Sequence, residues 1–80
     1  MRYPALVSRE GPNWLIEFPD CPGCQTFARS EADVTARARE ALEGWLEVAR
    51  EDGEAPPAPG NYDPPPGAQL VEIELYARDH

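Results

Sequence analysis

Apolar and polar side chains alternate in two short segments near the start of the chain. The segments Tyr3–Ser8 (YPALVS) and Asn13–Phe18 (NWLIEF) are separated by REGP at residues 9–12, which is typical of a turn. Because side chains on a strand point alternately to its two faces, the pattern predicts a β-hairpin with one apolar face. The residues predicted on that face are Tyr3, Ala5 and Val7 in the first strand, and Trp14, Ile16 and Phe18 in the second.

The next segment predicts a tight turn and a third strand. Pro19 lacks the backbone N–H that a strand ladder uses, so it is expected to end the second strand. Residues 20–23 then turn the chain, and Gln25–Ala28 (QTFA) is predicted to pair antiparallel with the second strand.

A repeat of three and four residues predicts one amphipathic helix over Glu31–Glu51. Ser30 can accept a hydrogen bond from a free backbone N–H, and acidic residues follow where the helix dipole favours negative charge. Gly53 is predicted to end the helix in the left-handed conformation. The apolar stripe of the helix consists of Val34, Ala38, Ala41, Leu42, Trp45, Val48 and Ala49.

A proline-rich segment at residues 54–68 follows the helix and is either a disordered linker or an extended loop. It holds six of the ten prolines, so it is neither helix nor central strand. The segment Gln69–Tyr76 (QLVEIELY) alternates again and favours an extended loop that returns to the sheet, with a frayed end at Ala77–His80. The predicted order is β-β-β-α-β in one domain, residues 1–80, with a right-handed crossover through the helix.

The charge balance narrows the class of partner. The 80 residues include 15 acidic and 7 basic side chains, all of the basic ones Arg, for a net charge of −8. An acidic surface repels nucleic acid and anionic lipid and attracts basic proteins, so we expect no direct nucleic-acid or membrane binding. The chain has neither a long apolar run nor the apolar core of a signal peptide, which predicts a cytoplasmic protein. One helix covers only one face of a sheet, which predicts a homo-oligomer.

The motif Cys21-Pro22-Gly23-Cys24 has a spacing found in redox and zinc sites. Redox chemistry needs a thiolate stabilised at a helix N-terminus, but this motif leads into an extended segment. Structural zinc needs about four ligands, and within one chain only His80 could add to the two thiols. A zinc ion shared between two chains is the remaining possibility for a metal site. Pro followed by Gly is typical of a type II turn, so packed thiols in a turn are favoured over a regulatory disulfide or a metal site.

Four carboxylates, Glu17, Asp20, Glu72 and Glu74, lie on or beside predicted strands. Paired acids on a sheet can bind Mg²⁺ for phosphoryl chemistry. However, the first strand segment has no acid, and Glu72 and Glu74 alternate with apolar residues as solvent-facing positions do. A polar sheet face is therefore favoured, and we predict no catalytic, cofactor-binding or metal-binding residue.

Motifs along residues 1–76 resemble the HicB family of antitoxins. They are MRYPALV, LIEFPD, PDCPGC, AREALEGWLE, EDGEAPPAP and VEIEL, and the pairing of the turn with the helix motif about twenty residues later is the specific part. The turn residues of this motif are Pro19, Asp20, Pro22, Gly23 and Cys24. The resemblance implies an α+β domain with a partial RNase H-like fold that lacks catalytic acids, in which one helix packs on a small mixed sheet.

The resemblance also implies a function. Members of this family bind and neutralise a small HicA-type toxin that cuts messenger RNA, commonly as dimers or tetramers, and many carry a C-terminal DNA-binding module. We expect a stand-alone form without that module, because the chain ends at His80. The chain departs from the family pattern at Ala28–Ser30, at Ala32–Val34 and at Cys21, where relatives usually carry a large aliphatic residue.

We therefore predict a binding protein rather than an enzyme, whose partner is a small basic toxin of the HicA type. The predicted partner contacts are Glu40, Glu43 and Glu47 on the helix and Tyr62 in the loop. Trp14, Tyr76 and an exposed strand edge are the predicted contacts of a homodimer or homotetramer. The alternatives are a scaffold protein of the same fold without a toxin partner, and a small thiol-redox or nuclease enzyme.

Overall fold

Four antiparallel strands form one sheet, and one α-helix packs on a single face of it, in the computed structural model, which describes residues 1–75. The spatial order of the strands is β3-β2-β1-β4, and a short 3₁₀ turn at Glu31–Asp33 precedes the helix. The predicted order of elements is confirmed. The elements are β1 (Arg2–Glu10), β2 (Asn13–Glu17), β3 (Gln25–Ala28), α1 (Val34–Glu51) and β4 (Ala68–Glu74).

The core lies between α1 and one face of the sheet. The predicted alternation places Tyr3, Ile16 and Ile73 on this face with no exposed surface, and Leu42 of α1 packs with them. Burial of such side chains stabilises each by about 1.5–3 kcal/mol relative to exposure. The buried cluster comprises Tyr3, Ala5, Val7, Ile16, Phe18, Cys21, Cys24, Ala28, Val34, Ala38, Leu42 and Ile73.

The prediction of a mixed sheet is wrong, because β4 is antiparallel to its neighbour β1. Arg2 lies opposite Glu74, and Ser8 lies opposite Ala68. Strands β3 and β4 are at opposite edges of the sheet and run in opposite directions. The rule of right-handed crossover applies to parallel strands, so it does not govern this connection.

The proline-rich loop is the physical reason for the antiparallel β4. An 18-residue helix is about 27 Å long and carries the chain from the end of β3 to the opposite end of the sheet. The loop then has enough extended residues, at about 3.1 Å each, to bring the chain back to the end where α1 began. Strand β4 consequently runs in the same direction as α1.

The N-terminal end of α1 differs from the sequence prediction, whereas the C-terminal end agrees with it. The Ser30 hydroxyl donates to the Asp33 carboxylate over 3.1 Å and does not cap the helix, so α1 begins at Val34 after the 3₁₀ turn. At the other end Gly53 has φ of +78°, and its N–H donates to the Arg50 carbonyl over 3.0 Å. This left-handed end confirms the prediction for Gly53. The predictions for Tyr76 and for 77–80 lie outside the described residues.

Strand β4 offers a matched pair of substitutions that tests the assignment of the two sheet faces. Ile73→Ala removes a side chain with no exposed surface and is expected to lower the free energy of unfolding by about 2–5 kcal/mol. Leu70→Ala, at a position 37% exposed on the other face, is expected to lower it by less than about 1 kcal/mol. Urea unfolding followed by circular dichroism measures both, and equal losses would contradict the assignment.

Candidate partner-binding surface

The turn after β2 is held by three backbone hydrogen bonds. The Cys24 N–H donates to the Cys21 carbonyl over 2.9 Å, and Gly23 between them has φ of +83°. These are the features of the predicted type II turn, in which the third residue takes the left-handed conformation. The Cys21 N–H donates to the Phe18 carbonyl, and the Phe18 N–H donates to the Cys24 carbonyl, each over 3.1 Å. The turn therefore closes against the end of β2.

Both thiols of the turn are free and buried against α1. Cys21 has no exposed surface, and Cys24 is 6% exposed, with its sulfur 3.6 Å from the Ala41 carbonyl oxygen. Burial raises the pKa of Cys21 to about 11, and the neighbouring Cys24 and Asp20 raise it further in the same direction. Burial also raises the pKa of Cys24. These environments favour the neutral thiol, which agrees with packed residues in a turn.

Asp20 of the same turn fastens the proline-rich loop to the sheet. Its carboxylate accepts hydrogen bonds from the Gly60 N–H at 3.1 and 3.2 Å and from the Tyr62 hydroxyl at 2.5 Å. The bond from Asp20 raises the pKa of Tyr62. A second anchor joins the buried Tyr3 hydroxyl to the Pro57 carbonyl over 2.8 Å. The loop is therefore extended and bound at two points, as the second of the two sequence interpretations predicts.

The three glutamates of α1 that are predicted partner contacts differ in their exposure to solvent. Glu40 and Glu47 are exposed, whereas Glu43 is half-buried and interacts within the domain. Glu40 also lines a groove of about 570 Å³ between α1 and the β3 edge, together with Trp45 and the 57% exposed Val48. Two of the three predicted glutamates are thus exposed, beside a little apolar surface, and their contact with a partner stays a prediction.

The predicted oligomer contacts receive less support from their positions. Trp14 lies on the helix-facing side of β2, half-buried against the core. The Arg9 guanidinium lies 4.7 Å from the centre of its ring. Tyr76 is outside the described residues, so self-association through these two residues stays a prediction.

The acidic residues of the sheet do not form a cation site in the described part of the chain. Glu17 on β2 and Glu72 on β4 are separated by β1, which puts their strands about 9–10 Å apart. Glu74 forms an ion pair with Arg2, with 2.7 Å between the carboxylate oxygen and the guanidinium nitrogen. Within residues 1–75 no three His, Cys, Asp or Glu side chains are grouped to bind a metal. The helix described here is too short or too polar to cross a membrane.

Sequence reasoning missed the apolar residues on the face of the sheet that α1 does not cover. The register places Leu6, Leu15, Phe27 and Leu70 on this helix-free face, and Phe27 is 48% exposed. The alternation already contained this signal, because these residues alternate with the helix-facing residues in each strand. The interpretation of the second face as simply polar was drawn from its glutamates alone.

Comparisons with known proteins identify a family model and a curated relative that match most of the chain. The model of the HicB-like antitoxins of bacterial toxin–antitoxin systems matches residues 3–65. A UPF0150 protein of Archaeoglobus fulgidus is 35% identical over 77 residues, which cover 92% of this chain and 97% of that protein.

Two solved structures share the fold. The N-terminal domain of the Burkholderia pseudomallei antitoxin HicB superposes with a TM-score of 0.79, and a chain of a HicA3 and HicB3 toxin–antitoxin complex with 0.77. Each is 23% identical in sequence, and each match covers 96% of this chain and all of the other. With the family match across most of its length, the chain belongs to the HicB-like antitoxins of bacterial toxin–antitoxin systems.

Proposed function

We propose that this chain is the antitoxin of a cytoplasmic toxin–antitoxin pair and neutralises a small basic HicA-type toxin by binding it. The observation that carries the proposal is the HicB-like antitoxin family match over residues 3–65. The fold supports it, because a chain of similar architecture comes from a structure that contains a toxin and its antitoxin together. The toxin would be inactivated because the antitoxin occludes the surface that holds RNA.

The charge of the chain fits such a partner. A protein that cuts messenger RNA has to attract a phosphate backbone, so its working surface is expected to be cationic. The net charge of −8 on this small domain supplies the complementary field and accelerates the encounter of the two proteins. The exposed Glu40 and Glu47 contribute to this field, and Tyr62 presents the end of the anchored loop.

The same proposal includes self-association. A homodimer or homotetramer would use the edge of the sheet, since β3 pairs with β2 on one side only within residues 1–75. Trp14 and Tyr76 remain the proposed contact residues. A scaffold protein of the same fold would differ in lacking a toxin partner, and the inhibition experiment below separates the two functions.

Inhibition of RNA cleavage tests the proposed function directly. The HicA-type toxin that the proposal expects to be encoded beside this chain's gene is purified and incubated with messenger RNA, with and without the antitoxin. Cleavage is expected to stop at a stoichiometric amount of the added chain, because a binding inhibitor saturates its target. Cleavage that continues at a tenfold excess would contradict the function.

Charge reversal on α1 tests the contribution of the helix glutamates. The double variant Glu40→Lys/Glu47→Lys changes the net charge from −8 to −8 + 4 = −4. The association rate with the toxin is expected to fall by about tenfold at low salt and by less at 0.5 M salt, because exposed charges act mainly on encounter. Stopped-flow fluorescence at both salt concentrations measures the change.

The matched control for this experiment is Glu31→Lys/Glu51→Lys, which alters the net charge equally at the two ends of the helical segment. A smaller effect of the control supports a local contribution of Glu40 and Glu47. If both double variants slow association equally, the helix glutamates are not a specific contact.

A thiol-redox enzyme would need a reactive thiolate, whereas the structure predicts slow reaction of the buried cysteines. With a pKa of about 11 against an ordinary value of 9.0, Cys21 holds roughly 100-fold less thiolate at pH 8 than a free thiol. Alkylation by iodoacetamide is therefore expected to be at least about 100-fold slower in the folded chain than in urea-unfolded chain. Mass spectrometry of quenched samples follows the reaction, and rapid labelling of folded protein at neutral pH would favour a redox role.

A further inference from the structure

The helix-free face of the sheet carries a continuous row of apolar side chains. Leu15 lies opposite Phe27 across β2 and β3, and Leu6 lies opposite Leu70 across β1 and β4. Leu15 is also the diagonal neighbour of Leu6, because it pairs with Ser8 two residues further along β1. The four residues, here called the apolar row, therefore cross all four strands over a width of about 15 Å.

The two ends of the apolar row are exposed, and its central Leu6 and Leu15 are half-buried, in the described part of the chain. Phe27 is 48% exposed and Leu70 is 37% exposed, while α1 packs on the opposite face. Residues 1–75 contain no second helix that could cover the row. Large apolar side chains that are contiguous and exposed on a small domain mark a surface for another protein.

The surroundings of the apolar row are acidic. Glu17 lies opposite Leu6 on the same face, and Glu72 is the next residue on that face of β4 after Leu70. Both carboxylates are exposed. The basic residue of this face, Arg2, is already hydrogen bonded to Glu74 over 2.7 Å. A partner that covers the row must therefore accommodate negative charge beside apolar contacts.

The negative charge beside the apolar row favours a basic protein over a second copy of this chain as the partner that covers the row. In a two-fold symmetric dimer the same patch faces itself, so Glu17 and Glu72 of each copy would be buried near one another. Burying carboxylates without cationic partners is strongly unfavourable. A protein with an apolar centre and Arg or Lys at the rim would instead pair with both groups.

We infer that the apolar row and its two flanking glutamates, Glu17 and Glu72, are the docking site for the basic toxin. The inference rests on the proposed function and assigns its interface. The exposed glutamates of α1 lie on the other side of the domain, where the neighbouring apolar side chains are Val48 and the half-buried Trp45. The helix glutamates raise the association rate by long-range attraction. The helix-free face provides the buried contact that holds the complex together.

The first test removes the ends of the apolar row in the full chain. The double variant Phe27→Ala/Leu70→Ala is compared with Val48→Ala, which truncates an apolar side chain of 57% exposure on the helix side. The affinity for the basic protein encoded by the neighbouring gene is measured by isothermal titration calorimetry. The double variant is expected to bind at least about 30-fold more weakly, and the control within about threefold of the unchanged chain.

The second test concerns the carboxylates and does not depend on core packing. Glu17→Gln is expected to weaken binding by about tenfold and to reduce its dependence on salt, because it removes a charge that pairs inside the interface. Glu51→Gln, at the exposed end of α1 and outside the proposed contacts, is the matched control and is expected to leave the equilibrium affinity nearly unchanged. Circular dichroism and urea unfolding establish that every variant is folded.

The outcomes separate this inference from the function on which it rests. If the unchanged chain does not bind the toxin, the proposed function fails and the docking site fails with it. If the unchanged chain binds but Phe27→Ala/Leu70→Ala binds equally well, only the docking site is overturned. A homodimer that dissociates in the double variant without loss of toxin affinity would assign the face to a second copy and also overturn the inference.

Discussion

The contact between one helix and one face of a four-stranded sheet is the constraint on which the rest of the structure depends. Leu42 of α1 and Tyr3, Ile16 and Ile73 of the sheet meet there without exposed surface. A chain of 80 residues has few further apolar side chains with which to cover the second face. Within residues 1–75 no helix covers this second face, which carries a row of apolar residues. We propose that another protein completes the second layer on this face.

The turn and the proline-rich loop make this arrangement rigid at one end. Asp20 accepts hydrogen bonds from Gly60 and Tyr62, and the buried hydroxyl of Tyr3 holds Pro57. The loop lets β4 reach the free edge of β1 and run antiparallel to it, which places Leu70 beside Leu6. The motif that resembles a redox or zinc site is thus part of the scaffold. Its two thiols fill the core, and its carboxylate positions the loop.

The sequence was informative where local chemistry decides the structure. Strict alternation identified the buried faces, and Gly23 and Gly53 both adopt the left-handed conformation expected of a turn and a helix end. The direction of β4 could not be predicted, because it depends on where the 16 residues between α1 and β4 lead the chain rather than on any local pattern. The apolar row on the helix-free face was missed for a related reason: Leu6, Leu15 and Phe27 become neighbours only when the strand register is known.

We propose that the acidic surface attracts a cationic protein and that the apolar row on the helix-free face binds it. Methyl-labelled leucines report on this division directly, because Leu6, Leu15 and Leu70 lie on the helix-free face whereas Leu42 and Leu46 belong to α1. The decisive measurement is a methyl NMR titration of the labelled chain with its toxin. The account predicts large shifts or broadening for the three sheet leucines and little change for the two helix leucines. Shifts confined to Leu42 and Leu46 would contradict it.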